Sequence, residues 1–211
     1  MSATERTIPL ARIRYGPAEQ RWNPEPLAFE HFARRLAKDP NRKINIEIKV
    51  VAPGELAGCG AKVAHLTGTD AVEFSPEESN AIVAFLRGGG TLIVDQAGGL
   101  PVGNRKETFH RAFRAQVEAW FGPDALQPVG KDHPLLKDIG TLLYRNAEGQ
   151  RRKRMPLALE HVTVDGRSVL YYSRYDLSCG LLGNPNPLLS GPEPAACYEV
   201  FGRLLVGTVP K

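Results

Sequence analysis

Cysteine is scarce in this sequence. The 211 residues hold three, Cys59, Cys179 and Cys197, with no CxxC and no regular spacing. An odd, sparse set excludes a disulfide framework and a cysteine zinc site. Free thiols in a reducing compartment are the expected state, with one bridge plus a spare thiol as the alternative. Long apolar runs are missing as well. The longest, Ala81 to Leu86, falls far short of the roughly 20 residues a membrane-crossing helix needs. The first twenty residues contain no apolar stretch of the secretory type, so the chain taken as it stands is expected to be cytoplasmic. HxH, HExxH and clustered carboxylates are absent, as are GxGxxG and the Lys-Ser/Thr of a phosphate loop. No metal and no cofactor is therefore expected.

What remains is an ordinary globular composition, 42% apolar and 24% charged, with 21 glycines and 17 prolines marking many loops. That suits one α/β domain over residues 1–211, with a parallel core over about 8–122 and a loop-rich hairpin and terminal-helix extension over about 123–211. The net charge is +4. Arg145, Arg151, Arg152, Lys153 and Arg154, with Glu148 the one acid among them, account for all of it, so the rest of the chain is electrically balanced. Read as a solvated loop, this cluster has no interleaved aromatics and no accompanying nucleic-acid motif, which argues against a nucleic-acid partner.

Periodicity places the elements. Leu10 to Tyr15 reads as a first strand. Asn23-Pro24 resembles an N-cap followed by proline at the first helical position, opening a helix with Phe29, Phe32, Ala33 and Leu36 on one stripe and Asp39-Pro40-Asn41 as its stop. Ile44, Ile46, Ile48 and Val50 alternate with Asn45, Glu47 and Lys49, a strand whose charges suit a sheet edge. Lys62 to Leu66 is a third strand. Ser75-Pro76-Glu77-Glu78 is a capping box opening a helix that Gly88-Gly89-Gly90 ends, and Thr91 to Val94 is a buried strand with Asp95 at its end. Phe109 to Phe121 is amphipathic. Leu157 to Val164 and Arg167 to Ser173 flank Asp165-Gly166, a hairpin signal, and a last helix opens at Pro192 to Pro194. Alternating strands and helices followed by a hairpin predict α/β: a flavodoxin-like, mostly parallel sheet with a C-terminal antiparallel extension.

Five ordered segments carry a family resemblance: Arg12-Ile13-Arg14-Tyr15 with Trp22-Asn23; His65-Leu66-Thr67-Gly68; Ser75-Pro76-Glu77-Glu78 through Gly89-Gly90 to Asp95; Asp132-His133-Pro134-Leu135; and Tyr172-Ser173 with Asp176-Leu177-Ser178-Cys179-Gly180. Together they resemble the bacterial domain of unknown function 4159. The resemblance implies a three-layer sandwich of the class I glutamine amidotransferase-like kind, often carried within larger, envelope-associated proteins. Two departures stand out. Thr69-Asp70 occupies a place where histidine and glycine are expected, and Gln96-Ala97-Gly98 follows Asp95 where a cysteine and a glycine are usual. Chemistry resting on that histidine or cysteine is not expected here.

In open α/β sheets ligands bind beyond the carboxyl ends of the strands. That rim would carry Tyr15, Trp22, Thr67, Asp70, Asp95 and Gln96, with Tyr15 and Trp22 offering flat faces and polar handles. Packing of the first loop over the sheet is the competing role for the two aromatics, and capping of a turn is that for Asp95. Cysteine catalysis would need a strand-to-helix elbow; Gly58-Cys59-Gly60 precedes a strand, Cys179 sits among turn residues, and Thr69 and Ala97 hold the elbow positions. His133, beside Asp132, is a weak acid–base candidate, and Asp176 earns attention from the resemblance alone. The leading expectation is a non-catalytic module that binds a small molecule or a protein. The alternative is a hydrolase or transferase using Asp95 and His133, and the third is anion binding through Arg151 to Arg154.

Overall fold

A computed structural model describes residues 6–39, 44–99, 108–146, 151–184 and 190–208. Its strands are β1 (Arg6–Ile13), β2 (Ile44–Val51), β3 (Val63–Gly68), β4 (Thr91–Gln96), β5 (Gln127–Pro128), β6 (Thr141–Asn146), β7 (Arg151–Pro156), β8 (Glu160–Val164), β9 (Arg167–Ser173) and β10 (Gly191–Pro192). The helices are α1 (Glu19–Trp22), α2 (Ala28–Lys38), α3 (Pro76–Arg87), α4 (Thr108–Phe121) and α5 (Pro194–Gly207). The main sheet runs β2-β1-β3-β4-β9-β8-β5, and a small second sheet runs β10-β6-β7. From β2 to β9 neighbouring strands are parallel; β8 and β5 add antiparallel pairs. This is a mixed α/β architecture with helices on both faces of the sheet.

Period-two alternation sorts the side chains between those faces. Ala64, Leu66, Leu92 and Val94 pack on one side with α3 and α4. Val63, Ile93 and Tyr171 pack on the other with Phe29 and Phe32 of α2 and Val200, Phe201 and Leu204 of α5. Strands buried on both faces read as nearly continuous apolar runs, as β3 and β4 do.

The isoleucine strand lies at the sheet edge as its charges predict. The regular alternation fails at its end. Ile44, Ile46 and Ile48 face the core beside α2, whereas Val50 is 51% exposed and Val51 is buried in the opposite core. Asn23-Pro24 does not open a helix. Asn23 instead accepts a 2.6 Å hydrogen bond from Arg12, a short α1 precedes it, and α2 begins at Ala28. A tertiary partner has overridden a local cap signal.

The Ser75 signal holds: Glu78 N–H donates to Ser75 Oγ at 3.2 Å, and Ser75 N–H donates to the Glu78 carboxylate at 2.9 Å. At the other end of α3 the left-handed glycine is Gly89 (φ +98), while Gly88 keeps a negative φ of −76°. Arg167 closes that end, donating to the carbonyls of Leu86 and Gly90 at 2.6 and 3.0 Å. Ser75→Ala is expected to lower stability by about 1 kcal/mol, read as a lower urea midpoint at unchanged slope.

Asp165 and Gly166 both take positive φ, 50° and 74°, the geometry of a tight hairpin turn. The hairpin does more than extend the sheet, because β9 lies parallel beside β4. The basic cluster is not a loop. Residues 151–156 form β7, paired antiparallel with β6. Arg145 is buried and bonded to Glu193 at 3.2 Å, and Arg152 reaches the same carboxylate at 3.2 Å. Lys153 and Arg154 are exposed. Most of the glycine-rich stretch after Gly99 and the Pro40-Asn41 stop fall outside the described residues. Among the described residues no helix is long and apolar enough to cross a membrane.

Candidate functional site

The carboxyl ends of β3, β4 and β9 converge on a buried polar cluster. Asp95 was expected at the end of its strand; it lies within β4, paired with Thr67 of β3 and Ser173 of β9. Alternation that sends Val63 and Ile93 toward α2 and α5 sends His65 and Asp95 the same way, two residues further along. There His65 Nε2 meets Asp95 Oδ1 at 2.7 Å, with both side chains fully enclosed. The other carboxylate oxygen accepts from Leu177 N–H at 3.0 Å, Ser178 N–H at 2.9 Å and Ser178 Oγ–H at 2.9 Å. Burial alone would raise the Asp95 carboxyl, but the bonds from His65 and Ser178 outweigh it and hold the group below the usual carboxylate range. Burial pushes His65 down, so the ring is neutral at pH 7 and donates from Nε2. Its ring packs against Phe29 and Phe201, with centroids 4.7 and 5.5 Å away. Asp95 thus serves as a hydrogen-bond anchor that ties the 177–178 turn to β3.

Asp176 extends the cluster. One of its oxygens accepts from Gly98 N–H at 2.5 Å and the other from Cys179 N–H at 2.8 Å. Burial, reinforced by the charge of Asp95, pushes its carboxyl up to about 7. The two carboxyls are therefore shifted in opposite directions although both are buried. The chain after β4 passes so close to Ser190, just ahead of β10, that a Cβ on Gly99 (φ +63) would overlap the Ser190 carbonyl. Between Asp176, Arg145 and Cys179 the cavity is about 20 Å³, too small for a ligand. Burial and the Asp176 charge drive the Cys179 thiol far up, and Cys197 is likewise buried and raised. Neither offers a thiolate.

Outside this cluster the rim opens into a groove of about 500 Å³ lined by Tyr15, Gly16, Pro17, Arg21, Asp70, Ala71, Glu73 and Thr108. Tyr15 is buried, and its hydroxyl donates toward the carbonyls of Thr67 and Arg21, both at 3.1 Å. Burial, then Asp70, raises its pKa, so it remains a neutral phenol. Trp22 is buried too, beneath the Arg12 guanidinium, which stands 4.5 Å from the Phe29 ring and 5.9 Å from that of Trp22. Neither aromatic presents the open face expected of it. Thr67 Oγ1 donates to the Asp95 carbonyl at 2.9 Å, and Gln96 Nε2 donates to Gly99 O at 2.5 Å. Of the predicted rim residues, Asp70 alone stays well exposed, 3.9 Å from Arg21, with side-chain exposures of 59% and 50%.

His133 lies at the other end of the sheet. Its Nε2 is 3.3 Å from both Ser168 Oγ and Tyr171 OH. Ser168 sits at the start of β9 and Ser173, the partner of Asp95, at its end. Five residues of strand separate the two ends by about 16 Å. The structure does not bring Asp95 and His133 together.

The His65–Asp95 pair escaped sequence reasoning although both residues had been noted. Each interrupts a buried apolar strand, and a buried polar group requires a partner. Which strand stood beside which, and in what register, was the missing information. Among the described residues no group of three or more His, Cys, Asp or Glu stands close enough to hold a metal ion.

A family model described as a domain of unknown function (DUF4159) matches residues 9–193, from within β1 through β10 to the threshold of α5. No curated protein matches the chain.

Proposed function

The chain belongs to the DUF4159 family of domains of unknown function, and from that premise we propose that the carboxyl rim of its sheet is a binding module, without chemistry of its own, for a small polar ligand or a protein segment. The observation that carries this reading is the contrast at the carboxyl rim. The rim groups able to do acid–base work, His65, Asp95 and Asp176, are buried and engaged in holding loops together. Arg21 and Asp70, half exposed and of opposite charge, face an open groove above them. Fixed charges on a stiff rim favour recognition without chemistry.

The parallel order β2-β1-β3-β4-β9 matches the doubly wound flavodoxin-like sequence of strands, whose ligand sites lie at the carboxyl ends. It supports an amidotransferase-like scaffold in which the catalytic cysteine is replaced: Thr69 and Ala97 follow β3 and β4. The motif resemblance supports a bacterial source and a place within a larger, envelope-associated protein. Nucleic acid is disfavoured as a partner because Glu193 engages both Arg145 and Arg152.

A thermal-shift screen of polar metabolites and short peptides tests the module. A true ligand at 100 times its Kd stabilises by about 2.7 kcal/mol, a rise of about 5–10 °C for a domain of this size. Arg21→Ala and Asp70→Ala should abolish the rise, and the ligand should be recovered unchanged. Ligands whose conversion depends on Arg21 or Asp70, or that bind both variants as well as wild type, would defeat the proposal.

A further inference from the structure

At the amino ends of β4 and β9, on the far side of the molecule from the rim groove, a second groove of about 440 Å³ opens. Ser168, His161, His133 and Tyr171 cluster in its wall. The hydrogen bonds among them have a definite direction. Leu135 N–H donates to His133 Nδ1 at 3.3 Å, so Nδ1 is unprotonated and the ring proton sits on Nε2. That Nε2–H points at Ser168 Oγ and Tyr171 OH, both at 3.3 Å. Ser168 has one hydroxyl proton. With His133 already donating to its oxygen, that proton goes to His161 Nδ1, 2.8 Å away. A serine hydroxyl aimed at the free nitrogen of a neutral imidazole is a nucleophile–base pair. Desolvation lowers both histidines, so His161 is unprotonated at neutral pH, and it raises Tyr171, which keeps its proton. The same proton assignment argues against a metal here, since the His133 nitrogen facing the cluster carries hydrogen.

We propose that this groove is an acyl-transfer site for small uncharged carboxylic esters, with Ser168 as nucleophile, His161 as general base, and His133 Nε2–H and Tyr171 O–H as donors to the developing oxyanion. Ser168 Oγ attacks the ester carbonyl carbon. The Oγ–C bond forms, the carbonyl electron pair moves onto oxygen, and the serine proton passes to His161 Nδ1. Collapse breaks the bond to the leaving oxygen, which takes that proton from His161 and departs as an alcohol. Water, deprotonated by His161, then attacks the acyl-serine, releases the carboxylic acid and restores Ser168. Pro134 and Leu135 supply apolar wall for the acyl group. Two neutral donors suit a neutral substrate that becomes anionic only in the transition state.

The test is covalent labelling of the whole chain with a fluorophosphonate, which phosphonylates activated serines with loss of fluoride, followed by mass mapping of the adduct. An adduct on Ser168 is expected, together with p-nitrophenyl acetate hydrolysis that Ser168→Ala abolishes. His161→Gln should slow labelling about 100-fold, the scale of a lost general base, while melting temperature and far-UV circular dichroism stay at wild-type values. Should that variant be destabilised, His161→Asn provides the same comparison. A folded wild-type chain that takes no adduct at Ser168, or a folded His161 variant that labels at the wild-type rate, overturns the proposal.

Discussion

Asp95→Ala is expected to destabilise the protein by about 3–5 kcal/mol, because it strands several buried donors that each cost about 1–3 kcal/mol when left unpaired. The carboxylate serves four donors on two segments: His65 Nε2–H, Leu177 N–H, Ser178 N–H and Ser178 Oγ–H. Alanine leaves all four without this acceptor in a region closed to water, and an unmade buried hydrogen bond carries the full desolvation penalty of the stranded group. His65→Leu should be milder, about 1.5–3 kcal/mol, because it removes one charge-assisted bond and leaves the other three. Urea denaturation of both variants at pH 7 measures the ordering. Equal losses, or a milder effect for Asp95→Ala, would show that the carboxylate does not hold the 177–178 turn.

Stability should also depend on pH through Asp176, whose folded-state carboxyl is raised to about 7 from 3.8. Below 3.8 both folded and unfolded forms are protonated and the group is neutral in the balance. As pH rises the unfolded chain ionises first, so stability falls until the folded group ionises as well, near 7. The full penalty is about 4 kcal/mol, of which about 2–3 kcal/mol develops between pH 5 and 8. Asp95 acts in the opposite sense, since its pKa is lowered: its stabilisation is present above the ordinary carboxylate value and is lost as pH falls. His65, held neutral by burial, likewise loses stability as pH falls below 6.5. The difference between wild type and Asp176→Asn isolates the Asp176 contribution. Urea midpoints across pH 5–8 should fall more steeply for wild type than for Asp176→Asn. Parallel profiles would mean that Asp176 is already ionised in the folded state at pH 5.

Elements whose stability is local were legible in the chain. Ser75 with Glu78 caps α3 using groups three residues apart, and Asp165-Gly166 turns the hairpin because both residues tolerate positive φ. The isoleucine alternation located an edge strand. Where a distant group competes, the local signal lost. Asn23 is drawn to Arg12, and α2 takes Leu27 as its N-cap instead. Arg151 to Arg154, polar enough to read as a loop, became a strand through ladder bonds to β6 and the neutralising carboxylate of Glu193.

The candidate sites divide in the same way. Asp70 was foreseeable as an exposed rim carboxylate from its place just after β3. The conversion of Tyr15 and Trp22 from offered surfaces into buried supports was not, because it depends on the Thr67 carbonyl of β3 meeting Tyr15 and the Arg12 guanidinium of β1 folding over Trp22.

Composition and periodicity account for the α/β class and the balance of charge, since both follow from residue type and spacing along one chain. That His65 joins Asp95, that Asp176 sits beside that charge, and that Ser168 stands between two histidines came from the packing of distant segments. These contacts join residues 7 to 83 positions apart. Strand order and register create them, and neither is encoded in a local pattern.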